Sequence, residues 1–122
     1  MDNDSIRQQT VRTADMVIKA WGRESLMDHH YRAKRTLEEA AELAQSLGVT
    51  EAESLRIIMY VYSRKVGVPQ QELAGTAMAL FATAHSLGYD LGGALRDELD
   101  RVANLPLDTL QAKHESKARA GI

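Results

Sequence analysis

From Leu73 to Ala84 the chain holds only Leu, Ala, Gly, Thr, Met and Phe, a run set between Pro69 and Gly88. Proline pre-sets the backbone dihedral of a first helical turn and glycine takes the left-handed conformation that ends a helix, so the run predicts one helix from Pro69 to Leu87. A helix apolar on every face has no side to give to water, and this one is expected to be buried. The rest of the chain must therefore surround it.

Four further helices are read from their spacing and their caps. The first fits Asp4 to Ala20, with Ile6, Val11, Ala14, Val17 and Ile18 at helical intervals and Gly22 as the stop. A second runs from Asp28 to Leu47 and closes at Gly48, with Leu37, Ala40, Ala41, Ala44 and Leu47 on its apolar side. Thr50 and Glu53 form an S/T-x-x-E capping box for a third, Glu51 to Arg64, and Asp90 caps a fifth that reaches Val102. After Pro106 a segment rich in Lys, Glu, Ser and Ala is either helical or a frayed tail. The expected fold is all-α, a compact bundle of four to five mostly antiparallel helices in one domain over residues 1–122.

Composition removes several kinds of chemistry. With no cysteine among 122 residues, there are no disulfides, thiolate zinc sites or thiol nucleophiles, and oxygen and imidazole are the metal ligands left. These suit a hard cation such as magnesium. Fifteen basic and 17 acidic residues are mixed along the chain, so no basic surface is laid out for polymeric nucleic acid. No stretch approaches the roughly 20 apolar residues of a membrane span, and the start Met1-Asp2-Asn3-Asp4 is unlike a secretory signal; a cytoplasmic protein is expected. There is no G-x-G-x-x-G, P-loop or Ser-His-Asp ordering, so phosphate recognition has to come from a metal and side chains.

The acids of the second helix are the candidate site. Glu38, Glu39 and Glu42 fall within an arc of roughly 100° at 3.6 residues per turn. Like charges at i,i+4 cost a helix a few tenths of a kcal/mol, a penalty that a bound cation would remove; a plain solvated face is the other explanation. Glu72 stands one turn into the apolar helix, on a stripe with Thr76, Ala79 and Thr83 that offers it no basic partner. If that position is buried, the carboxylate must be paired, protonated or metal-bound; if it is at the surface, Glu72 simply complements the helix dipole. Were the second and fourth helices to pack side by side, Glu39, Glu42 and Glu72 would present oxygens to one magnesium, which usually keeps water and substrate phosphate as its other ligands.

The string Glu38-Glu39-Ala40-Ala41-Glu42, the helix after it, Gly67-Val68-Pro69-Gln70-Gln71-Glu72, and the ending His85-Ser86-Leu87-Gly88-Tyr89-Asp90 together resemble the all-α nucleoside triphosphate pyrophosphohydrolases of the MazG type. The resemblance covers Ala14 to Val102. It implies a MazG-like bundle that assembles as a homodimer or homotetramer, binds magnesium or manganese, and cleaves a ribo- or deoxynucleoside triphosphate to the monophosphate and pyrophosphate. It implies Glu39, Glu42 and Glu72 as metal ligands, with Glu38 as a further ligand or the base that orients water. The family carries an aspartate three residues after its later glutamate, where this chain has Gly75. The stretch Pro69 to Leu80 also resembles a branch found in phages and related mobile elements, which reads E-x-G-G there. Glycine costs a helix interior up to about 1 kcal/mol relative to alanine, so Gly75 admits either close packing or a bulky ligand. A missing carboxylate also leaves open a relative that binds a nucleotide or a protein without turning it over.

Among cations, Arg35 lies on the carboxylate face, where it meets either a phosphate or Glu38 or Glu39 as an ordinary ion pair. Arg32 stands one turn earlier, and Arg64 and Lys65, before the apolar helix, make a second phosphate clamp or are solvated. Trp21 is either a base-stacking platform or a core plug. His29 and His30 cannot face one metal from adjacent positions, and His85 suits a helix C-terminus. Lys113, His114, Lys117 and Arg119 belong to the tail segment, either solvated or folded over phosphates.

Overall fold

The computed structural model describes residues 5–122. Among them are seven helices and no strand: α1 (Ile6–Trp21), α2 (Arg23–Met27), α3 (His29–Ser46), α4 (Glu51–Tyr62), α5 (Pro69–Leu87), α6 (Leu91–Ala103) and α7 (Leu107–Arg119). The protein is all-α. Two helices exceed the expected count: the five-residue α2, which fills the gap between Gly22 and Asp28, and α7, the helix formed after Pro106. No helix among the described residues is long and apolar enough to cross a membrane.

The ends follow the capping signals. Gly22 and Gly48 take positive φ values of 90° and 91°, which L side chains rarely adopt, and these turns release the chain from α1 and α3. α1 starts at a Ser5–Gln8 capping box rather than at Asp4, which lies outside the described residues. Asp90 holds the N-cap position of α6 but makes no capping side-chain bond.

The Thr50 box at α4 is complete. The Thr50 hydroxyl accepts from the Glu53 amide at 3.1 Å, and Glu53 Oε1 accepts from the Thr50 amide and hydroxyl at 3.0 Å each. The Thr50 backbone bond, and then its hydroxyl, hold the Glu53 carboxyl below the usual carboxylate range. A depressed folded pKa means that this part of the cap is present above the ordinary value of 4.5 and is lost as the pH falls through the folded pKa. Thr50→Ala is expected to remove roughly 0.5–2 kcal/mol of helix stability, read as faster amide exchange in α4 than elsewhere.

The described residues divide into two compact units. The first comprises residues 5–32 with Ala84–Ile122, and here α1 packs on α2, α6 and α7. Its core is Val17, Ala20, Leu99 and Leu110, all buried. Gln9 is buried beside them and donates through Nε2 to the Gly92 carbonyl at 2.8 Å, which satisfies the amide and ties α1 to the head of α6. The Trp21 indole donates to the Leu110 carbonyl at 3.1 Å, so the single tryptophan joins α1 to α7 as a half-buried plug. Tyr31 Oη lies 2.6 Å from His114 Nδ1, with the rings edge to face, and Arg32 stacks over Tyr31 while donating to Ser25.

The second unit, Ala33–Thr83, takes in most of α3, all of α4 and most of α5. These helices follow one another without packing alongside each other, and the unit has no buried residue. The expected burial of the apolar helix is therefore not met within one chain: every residue of α5 is exposed or half-buried, Leu73 at 72% and Met78 at 77%. The packed bundle is confined to the first unit.

Candidate functional site

Glu38, Glu39 and Glu42 lie in the middle of α3, which places them on one arc as their spacing requires. Glu38 is the half-buried member, and its Oε1 lies 3.5 Å from Arg35 Nη1. Arg35 thus makes the i,i+3 ion pair that was the alternative to a phosphate contact, and it stands beside the acids with its side chain 14% exposed. Glu39 and Glu42 are exposed.

Glu72 occupies the first turn of α5 and is exposed, where an acidic side chain complements the helix dipole. Its carboxylate folds back over Gly67, where a Cβ would collide with Oε1. Glycine at 67 is thus what lets the chain before Pro69 pass close to Glu72. Thr76 Oγ1 bonds back to the Glu72 carbonyl at 2.8 Å and leaves the carboxylate free. Periodicity carries no signal for the contact with Gly67, because it runs between a loop and a helix end.

The carboxylates of Glu39, Glu42 and Glu72 are hard oxygen donors suited to a divalent cation, and among the described residues no hydrogen bond or ion pair engages them. α3 and α5 do not pack along each other in the chain. Among the described residues no group of three or more acids or histidines is close enough to share one ion. Glu38, Glu39 and Glu42 share one arc of α3, and among the described residues they are not brought together with Glu72.

Of the cations, Arg64 stacks over the Tyr60 ring at 5.3 Å, and Lys65 is exposed beside it. Arg32 belongs to the first unit, engaged with Tyr31 and Ser25. Gly75 has nothing within 4 Å of where a Cβ would stand, so no close packing inside the chain calls for glycine there. His29, His30 and His85 are exposed, whereas His114 is half-buried against Tyr31, a pairing that spacing alone could not reveal across 83 residues. An open hollow of about 400 Å³ lies in the first unit, lined by Ile18, Lys19, Trp21, Gln111, His114 and Glu115, and holds none of the candidate carboxylates. No family model, curated protein or solved structure matches this chain.

Proposed function

We propose that the chain is a magnesium-dependent nucleoside triphosphate pyrophosphohydrolase of the MazG type that works as a homo-oligomer and cleaves a (d)NTP to the (d)NMP and pyrophosphate. The observation that carries this reading is the set of unengaged carboxylates of Glu39, Glu42 and Glu72, with Glu38 and Arg35 adjacent on the same helix. Acids left without a partner on exposed helix faces are ready to take a cation at no cost in existing bonds.

In this account Glu39, Glu42 and Glu72 hold the metal, which when bound supplies charge neutralisation of the phosphates and a lower pKa for the attacking water. Glu38 accepts the proton of that water, and its ion pair with Arg35 orients the carboxylate for the task. Arg35, Arg64 and Lys65 meet the triphosphate. One water adds to phosphorus, the phosphoric anhydride bond breaks, and pyrophosphate leaves. The test is pyrophosphate release from a panel of ribo- and deoxynucleoside triphosphates with magnesium and with a chelator. Release that stops on chelation is expected; nucleotide binding without release, dependent on magnesium, would favour a non-catalytic relative instead.

That second reading draws on Gly75, where a further carboxylate is expected from the resemblance. The space at position 75 is open, so Gly75→Asp is expected to fold and to gain a few tenths of a kcal/mol in helix propensity. It is expected to tighten magnesium binding by about tenfold, measured by calorimetry, through the added charged ligand. Unchanged affinity would place Gly75 away from the metal.

A further inference from the structure

The hollow in the first unit holds none of the candidate carboxylates, and its walls are of two kinds. It measures about 400 Å³, at the lower end of the roughly 300–1,000 Å³ that small-ligand sites occupy. Its lining comes from the end of α1 and the middle of α7, so every wall belongs to one compact unit. α1 supplies Ile18 and Trp21 at i and i+3, both half-buried, and α7 supplies Gln111, His114 and Glu115 at i, i+3 and i+4 on one face. The Trp21 indole is held by its bond to the Leu110 carbonyl, which leaves a fixed aromatic wall beside Ile18.

The polar groups suit a ligand that carries both charges. Lys19 and Glu115 line the same hollow, yet among the described residues neither side chain forms a hydrogen bond or ion pair, with the other or with any third group. Two opposite charges that line one cavity without pairing leave room for a molecule that meets each with its opposite. His114 adds a positioned donor. Its Nδ1 lies 2.6 Å from the Tyr31 hydroxyl, and with that hydroxyl donating to Nδ1 the ring hydrogen sits on Nε2, the edge turned away from Tyr31.

We propose that this hollow binds a free α-amino acid with an apolar side chain. The carboxylate of the ligand meets Lys19 and His114 Nε2, its ammonium meets Glu115, and its side chain lies on Trp21 and Ile18. A free amino acid is favoured over the end of a peptide, because a peptide terminus brings one of the two charges and leaves either Lys19 or Glu115 unanswered. A nucleotide phosphate or an inorganic anion brings negative charge alone and is opposed by Glu115. The site stands apart from Glu39, Glu42 and Glu72, none of which lines it.

Trp21 is the only tryptophan, so its fluorescence reads this hollow directly. Titration of the full chain with L-leucine is expected to change the emission saturably, with half-saturation on the order of 1 mM or below, and calorimetry is expected to give the same affinity. Glycine, which has no side chain to lay on Trp21, is expected to bind about tenfold more weakly or worse. N-acetyl-L-leucine and L-leucinamide, each lacking one charge, are expected to lose about tenfold or more, as are Lys19→Met and Glu115→Gln with leucine itself. Both positions are exposed, so the two variants are expected to keep the helical content and thermal midpoint of the unaltered protein. No saturable response to leucine in either measurement would overturn the site. Leucine affinity unchanged in both variants, or N-acetyl-L-leucine and L-leucinamide binding as tightly as leucine, would overturn the pairing of a zwitterion with Lys19 and Glu115. Glycine binding as tightly as leucine would overturn the apolar wall.

Discussion

Glu42→Gln is expected to reduce magnesium-dependent pyrophosphate release by on the order of 100-fold or more while leaving the fold intact. The amide keeps the shape of the side chain and removes the charge that a hard cation needs. Glu42 is exposed and holds no side-chain bond among the described residues, so the fold has little to lose. Relief of repulsion from Glu38, four residues earlier, should even raise it by a few tenths of a kcal/mol. Parallel measurements of initial rate and thermal midpoint check the split. A variant that turns over normally would remove Glu42 from the metal, and a fall in both quantities together would make it a structural residue.

The second large effect lies away from the carboxylates. Leu110→Ala is expected to cost about 2–5 kcal/mol, because Leu110 is only 4% exposed and its truncation leaves a hole where α7 meets α1. Against a total stability of about 5–15 kcal/mol this takes a large share. The Trp21 indole bond to the Leu110 carbonyl is a backbone contact and survives the substitution, so the loss reports packing alone. Urea unfolding of both proteins at one fixed protein concentration gives the difference, with the concentration held because self-association adds to apparent stability. A change below about 0.5 kcal/mol would show that α7 is not part of this core.

What could be read from the sequence was mainly local. Pro69 and Gly88 bound α5 where expected, and the Thr50–Glu53 box starts α4, because caps and breakers act through a few neighbouring backbone groups. The short α2 escaped because five residues, Arg-Glu-Ser-Leu-Met, are too few to show a period. His114 against Tyr31, and Gln9 against Gly92, escaped because each pair joins elements more than 80 residues apart. The apolar run of α5 tells how much surface has to be covered but not which chain covers it, and burial inferred from it did not hold within the single chain. The same limit applies to the site. Spacing places Glu38, Glu39 and Glu42 on one arc, but their distance from Glu72 depends on the path through α4 and on packing that no periodicity encodes.

Phosphorus-31 resonance spectroscopy of a nucleoside triphosphate incubated with the protein and magnesium tests the proposed reaction most directly, since it identifies which bond is cut. The account predicts a growing pyrophosphate signal matched by a nucleoside monophosphate signal in equal amount, both absent when a chelator is added. Inorganic phosphate with a nucleoside diphosphate, or an unchanged triphosphate spectrum in the presence of magnesium, would contradict it.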